Sequence, residues 1–159
     1  MLTAKPLSFP VLEAEKLSSI VIDTCVIRLY DAPLDPKYCE LFNWINTEGT
    51  LYISQKLLNE YVSTKNRNID ILLAMLVKNE EKIRIVRISK NQINTFKIDK
   101  NFNYTCNNED IDHSRLVFLS PRKKLISQDL KLISDINRFK KVDGIKPSAT
   151  KHPDPAFYK

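Results

Sequence analysis

The sequence predicts an α/β domain built on a mostly parallel sheet with helices packed on its faces. Three observations carry that prediction. Ile20-Val21-Ile22 is an apolar run without alternation that reads as a strand buried on both faces, and Thr50 to Ile53 and Lys124 to Ser127 are further short strand candidates. Between them lie stretches with apolar residues at i, i+3 and i+4, the spacing of amphipathic helices. The two patterns alternate along the chain, the order that produces βαβ units and a parallel sheet.

The elements follow in order. Residues 1–17 contain Pro6 and Pro10 and no sustained period, and read as an extended arm. A strand over 18–22 ends at Asp23. Val26, Ile27 and Tyr30 then mark a short helix, with Pro33 and Pro36 as stops. A helix over 36–47 places Leu41, Trp44 and Ile45 on one face, and Glu48-Gly49 breaks it before the strand Thr50 to Ile53. Ser54 is the N-cap of a helix with Leu57, Leu58, Tyr61 and Val62 on its apolar stripe. Glu60 falls nearly opposite that stripe, where a glutamate is by itself a solvated helix residue.

Ile69, Leu72, Leu73, Leu76 and Val77 form the most regular helical pattern of the chain, and Lys82 to Ser89 reads as a β-branched strand. Ile93 and Phe96 indicate a short helix ahead of an Asn-rich connection. Glu109, Asp110 and Asp112 then head a helix carrying Leu116, Val117 and Leu119. Acids in a first helical turn are favoured by the helix dipole, but three in four positions exceed what a cap needs. Pro121 ends that helix, a strand over 124–127 follows, and Asp129 opens a helix with Leu132, Ile136 and Phe139 on its face. Residues 142–159, with Pro147, Pro153 and Pro155, read as an extended tail, which leaves 18–141 as the folded domain.

Composition excludes several chemistries. With two glycines in 159 residues, Gly49 and Gly144, the chain cannot form a P-loop, a dinucleotide fingerprint or a GxSxG elbow. His113 and His152 stand apart, so a histidine metal cluster or a Ser–His triad has little support, and His113 reads as an ordinary helix residue. Three widely spaced cysteines, Cys25, Cys39 and Cys106, form no CxxC pair and suit a reducing cytoplasm. No run approaches the roughly 18 apolar residues of a membrane span, and the first residues lack a signal-peptide core, so no membrane association is expected. The net charge of +6 permits a polyanionic partner. Catalysis, if present, falls to carboxylates.

A parallel sheet leaves all strand carboxyl ends on one edge. That edge gathers Asp23 and Asp129, which follow strands, and the helices that begin there bring Glu60 and the Glu109 to Asp112 cluster within reach. Carboxylates collected in this way repel unless a cation neutralises them, and Mg²⁺ or Mn²⁺ suits an oxygen-only set.

These residues, strand–Asp23–Thr24, then LLNEYV with Glu60, DIDHSRLVFLS with Asp112, and LISQD with Asp129, resemble the PIN-domain ribonucleases over roughly residues 18–140. The VapC-type toxins of toxin–antitoxin pairs are the nearest in size. The resemblance implies a PIN-like, flavodoxin- or Rossmann-like three-layer fold and a Mg²⁺- or Mn²⁺-dependent endoribonuclease. Its products would carry 5′-phosphate and 3′-hydroxyl ends. It implies Asp23, Glu60, Asp112 and Asp129 as the catalytic acids and metal ligands, with Asp110 as alternate third acid. Thr24 and Ser127 would orient them from behind, and Cys25 stands where members often have Ser or Asn. Membership in the ordered set turns Glu60 from a solvated residue into a ligand. Arg84, Arg87, Arg122, Lys123 and Lys124, with Arg138 and Lys141, are the candidates for an RNA-binding rim, although each by itself reads as a residue of a solvated face. RNA is the implied substrate, a small antitoxin protein and a second copy of the chain are the implied partners, and the cytoplasm is the expected location. The alternative is a PIN-like module that binds RNA or protein without turnover.

Overall fold

The computed structural model describes residues 16–30 and 34–159, so most of the expected N-terminal arm, and Pro33, lie outside the described residues. The fold is α/β. Strands β1 (Ser19–Ile22), β2 (Thr50–Ile53), β3 (Ile85–Arg87), β4 (Lys124–Ile126) and β5 (Ser148–Thr150) form one all-parallel sheet in the order β3-β2-β1-β4-β5. Helices flank it in a PIN-like three-layer arrangement, and no helix among the described residues is long and apolar enough to cross a membrane.

Central position explains the unalternating strands. β1 pairs with β2 through Ser19–Thr50 and with β4 through Val21–Leu125, and all four of its residues are buried, as are all four of β2. After β1 come helix α1 (Thr24–Ile27), a 3₁₀ turn Arg28–Tyr30, and helix α2 (Pro36–Thr47). The helix expected over 36–47 forms with those bounds: Pro36 occupies the first turn of α2 behind the N-cap Asp35, where its missing N–H costs nothing. Ser54 caps α3 (Gln55–Ser63), accepting from the Leu57 amide at 3.0 Å. Helix α4 (Arg67–Val77) buries Ile69, Leu72, Leu73 and Leu76. Val62 and Val77, expected on the apolar stripes, are exposed in the last turns of their helices.

The strand expected over 82–89 pairs only at Ile85–Arg87. As the sheet edge, it has a neighbour on one side only, and that neighbour is four residues long. Arg84 is buried, and its guanidinium donates to the carbonyls of Gly49, at 2.7 Å, and Ile45. Helix α5 (Lys90–Asn94) opens with a Ser89–Gln92 capping box. Helix α6 (Ile111–Leu119) and helix α7 (Leu130–Arg138) complete the opposite layer, where Phe118 and Phe139 stack with centroids 3.9 Å apart.

Between α5 and α6 the chain has little regular structure, and two buried carboxylates hold it. Asp99 accepts from Arg115 Nε at 2.7 Å and from the Tyr104 hydroxyl. Asp135, fully buried on α7, accepts from the Thr105 amide (2.9 Å), its hydroxyl (2.7 Å), the Cys106 amide (2.9 Å) and Arg138 (2.7 Å). Burial opposes the Asp135 charge, but these donors outweigh it and lower its pKa.

Residues 142–159, expected as an extended tail, belong to the fold. β5 pairs in parallel with β4, and the Asn137 side-chain amide closes the outer edge by bonding both N (2.8 Å) and O (3.0 Å) of Ala149. Helix α8 (Pro155–Tyr158) buries Tyr158 against Trp44 with centroids 4.9 Å apart. A single buried aromatic, one buried alanine and a side-chain amide do what a longer apolar run does elsewhere.

Two substitutions test these anchors. Tyr158→Ala is expected to cost about 3–5 kcal/mol in denaturant unfolding, as for other buried aromatic truncations, whereas Tyr158→Phe is expected to be neutral or stabilising because the buried hydroxyl has no partner. Asp135→Ala is expected to cost roughly 3–5 kcal/mol by orphaning buried donors. With its folded pKa lowered, the wild-type Asp135 contribution is full above the unfolded carboxyl value and is lost as pH falls through the folded one, read by unfolding across acidic pH.

Candidate active site

The strand order sets the place. From β1 the chain turns to β2 on one side and later returns to β4 on the other, so the carboxyl ends of β1 and β4 form the switch point where open α/β sheets bind ligands. Asp23 follows β1 and Ser127 follows β4. They meet at 2.6 Å, the Ser127 hydroxyl donating to Asp23 Oδ2, while Asp23 Oδ1 accepts from the Thr24 amide at 2.8 Å. Asp23 therefore caps α1 and faces the site at once.

Thr24 carries the network onward, its hydroxyl donating to Glu60 Oε1 at 2.9 Å. Glu60 Oε2 lies 2.8 Å from Nε2 of His113 on α6. Donor atoms of Asp23, Glu60 and His113 all lie within 4.8 Å of one another, the one such trio among the described residues. His113 is 3 % exposed, and its Nδ1 has no partner. Burial alone would depress its pKa; the hydrogen bond and charge of Glu60, joined by Asp23 and Asp110, outweigh burial and raise it. Burial likewise opposes the Glu60 charge, but His113, Thr24 and Lys56 lower its pKa on balance.

The remaining acids divide. Asp110 occupies the N-cap position of α6, but its side chain makes no cap bond. Its pKa is raised by burial and by the charges of Asp129, Asp23 and Glu60 against the opposing pull of His113. Asp129 caps α7 through the Lys131 amide at 3.0 Å, and its own amide donates to Ser127 Oγ at 3.0 Å, beside Asp23. Asp112, the third acid of the motif, lines a neighbouring cavity with Lys56, Asn59 and Lys90. Helical geometry explains the exchange: residues 110 and 113 are three apart and share a face, whereas 112 is turned well away from 110.

Sequence reading passed over His113. The signal that could have found it is this i, i+3 spacing from Asp110. Cys25 also enters the site, its thiol 3.5 Å from Asp23 Oδ2 and accepting the Gln128 amide at 3.3 Å; burial, then the Asp23 charge, raises its pKa and keeps it a thiol.

Most of the expected basic rim lies elsewhere. Arg122 donates to the Ser19 carbonyl (2.9 Å) and the Tyr158 carbonyl (2.7 Å), Lys123 to the Ser120 carbonyl (2.9 Å), and Lys124 to the Phe157 carbonyl. These residues precede or begin β4, at the edge opposite the site, and Arg84 precedes β3 in the same way. Their cationic groups satisfy backbone carbonyls that would otherwise be orphaned, which removes them from an RNA rim at the acidic edge. Arg87, at the carboxyl end of β3, is exposed and donates to Gln55 Oε1 at 2.8 Å.

The donor set fits a divalent cation. Asp23 and Glu60 keep acceptor capacity beyond the bonds described and His113 offers a ring nitrogen within the same 4.8 Å, while Asp110 and Asp129 stand outside this trio, near enough to one another and to it for the charges of Asp129, Asp23 and Glu60 to act on the ionisation of Asp110. Comparisons with family models, curated proteins and solved structures return no match to this chain.

Glu60→Gln is expected to lower the His113 pKa, read by NMR titration of the imidazole. In the wild type the His113–Glu60 ion pair persists between the lowered Glu60 value and the raised His113 value. The His113 share of stability is full below its unfolded pKa and is lost as pH rises through the folded one, whereas the Glu60 share is lost as pH falls through its own. An unchanged imidazole titration in Glu60→Gln would refute the pairing.

Proposed function

We propose that the protein is a Mg²⁺- or Mn²⁺-dependent endoribonuclease acting at the carboxyl ends of β1 and β4, in the manner of the PIN-domain ribonucleases it resembles. The observation that supports this reading most is the Asp23–Glu60–His113 trio, its donor atoms within 4.8 Å, set at the topological switch point of a parallel sheet. Asp23, Glu60, Asp110 and Asp129 would hold the cation. A bound Mg²⁺ or Mn²⁺ supplies a nucleophilic water at neutral pH and charge stabilisation at the phosphodiester. The chain's own groups orient the acids: Ser127 fixes Asp23, Thr24 fixes Glu60, and His113 holds a proton at Nε2 against Glu60. A role as the toxin of a toxin–antitoxin pair, with a small antitoxin partner, belongs to this reading.

A second reading is a PIN-like module that binds RNA or protein without turnover. It is favoured by one observation: Glu60, one of the acids a cation would need, is engaged by His113 at 2.8 Å within the chain itself.

Mn²⁺ is expected to raise the melting temperature, and RNA cleavage in Mn²⁺ is expected to vanish in Asp23→Ala and to fall at least about tenfold in Asp129→Ala, the scale of losing one metal-orienting group. No stabilisation by Mn²⁺ together with metal-independent RNA binding would favour the binding module. Cleavage unaffected by either substitution would remove this site from the chemistry.

A further inference from the structure

The cavity that takes up Asp112 lies immediately beside the acidic site. It has a volume of about 270 Å³ and is lined by Gln55, Lys56 and Asn59 of α3, Lys90 and Ile93 of α5, and Asp112 of α6. That is near the roughly 300 Å³ at the small end of small-molecule sites. It uses the same two helices as the centre: Asn59 precedes Glu60 on α3, and Asp112 precedes His113 on α6. The Lys56 ammonium donates to the Glu109 carbonyl, tying α3 to the turn that carries Asp110.

The polar groups of the cavity are unevenly engaged. Gln55 Nε2 donates to Asn59 Oδ1 at 2.9 Å, and Gln55 Oε1 accepts from Arg87, so these two form one wall. The Asp112 carboxylate and the Lys90 ammonium have no hydrogen-bond or ion-pair partner among the described residues. Opposite charges lining one cavity without touching leave room for a ligand that presents N–H donors to one and an acceptor to the other. Ile93, only 3 % exposed, contributes a small apolar facet to the lining.

We propose that this cavity is a nucleobase subsite of the nuclease, in which Asp112 reads an amino-bearing base and guanine fits best. This rests on the ribonuclease reading above. A carboxylate accepts two parallel N–H bonds from the guanine N1–H and N2–H₂ edge, and Lys90 donates to O6. Uracil presents an acceptor on either side of a single N–H, placing an oxygen against the carboxylate. Unstacked RNA bases are recognised on these edges, and a carboxylate is the natural acceptor for an exocyclic amine. Asp112 is thereby a specificity residue rather than a metal ligand.

The test uses the full-length protein without divalent metal, titrated with guanosine and uridine 5′-monophosphates and followed by amide NMR. Guanosine monophosphate is expected to shift the amides of Asn59, Lys90, Ile93 and Asp112 and to bind on the order of tenfold more tightly than uridine monophosphate, the discrimination of one good bidentate pair. Asp112→Asn and, separately, Lys90→Ala are expected to bring the two nucleotides to near parity, while Asp112→Asn keeps the wild-type Mn²⁺ thermal shift. Equal affinities in the wild type, or shifts centred elsewhere, overturn the subsite even if Mn²⁺-dependent cleavage is present. Loss of the Mn²⁺ shift in Asp112→Asn overturns it by making Asp112 a metal ligand. A guanine preference without any cleavage leaves the subsite standing and refutes the nuclease.

Discussion

A parallel sheet covered on both faces can carry charge only at the ends of its strands. β1 and β2 are buried throughout, so the first ionisable group the chain can place after β1 is Asp23, at the carboxyl edge. There its carboxylate is received by the Thr24 amide and by Ser127 from the neighbouring strand end. The 2.6 Å bond from Ser127 ties β4 to β1 across the switch point. Everything else in the site is arranged around this contact: Thr24 turns to Glu60, Glu60 to His113, and Asp129 sits behind Ser127.

Electrostatics make the cluster more selective than four similar acids. Against the opposing effect of burial, Glu60 raises the pKa of the buried His113 and His113 in turn lowers that of Glu60, while burial and its acidic neighbours raise that of Asp110. Environments that push like groups apart are a recurring feature of functional sites. The same helix start places Asp110 and His113 towards the cluster and Asp112 in the adjacent cavity.

Away from the site, several charged groups serve to hold the chain together. Asp99, itself in the 95–107 connection, takes Arg115 of α6 and Tyr104, and Asp135 takes Thr105 and Cys106, so hydrogen bonds join the buried Phe96 and Cys106 in holding the entry to α6. Arg84, Arg122, Lys123 and Lys124 perform the complementary service at the opposite edge, saturating carbonyls of loops and of α8. A positive residue near a strand end thus serves as readily to satisfy backbone as to meet an anion.

Local patterns carried much of this fold in the sequence. An unalternating apolar run located β1, short strand-like runs located β2 and β4, i, i+3, i+4 spacing located the helices, and Ser54 and Asp129 marked helix starts, because burial and capping act over a few residues. The carboxylates at strand and helix ends were legible for the same reason. Three things needed the tertiary structure. The fifth strand has almost no apolar signal, since its edge is closed by Asn137 from α7. The basic residues around β4 look alike in sequence, and only the position of carbonyls distant in the chain shows which are engaged. The division of α6 between Asp110 with His113 and Asp112 depends on the rotation of one helix against α3, and that rotation is decided by packing between elements far apart in the chain.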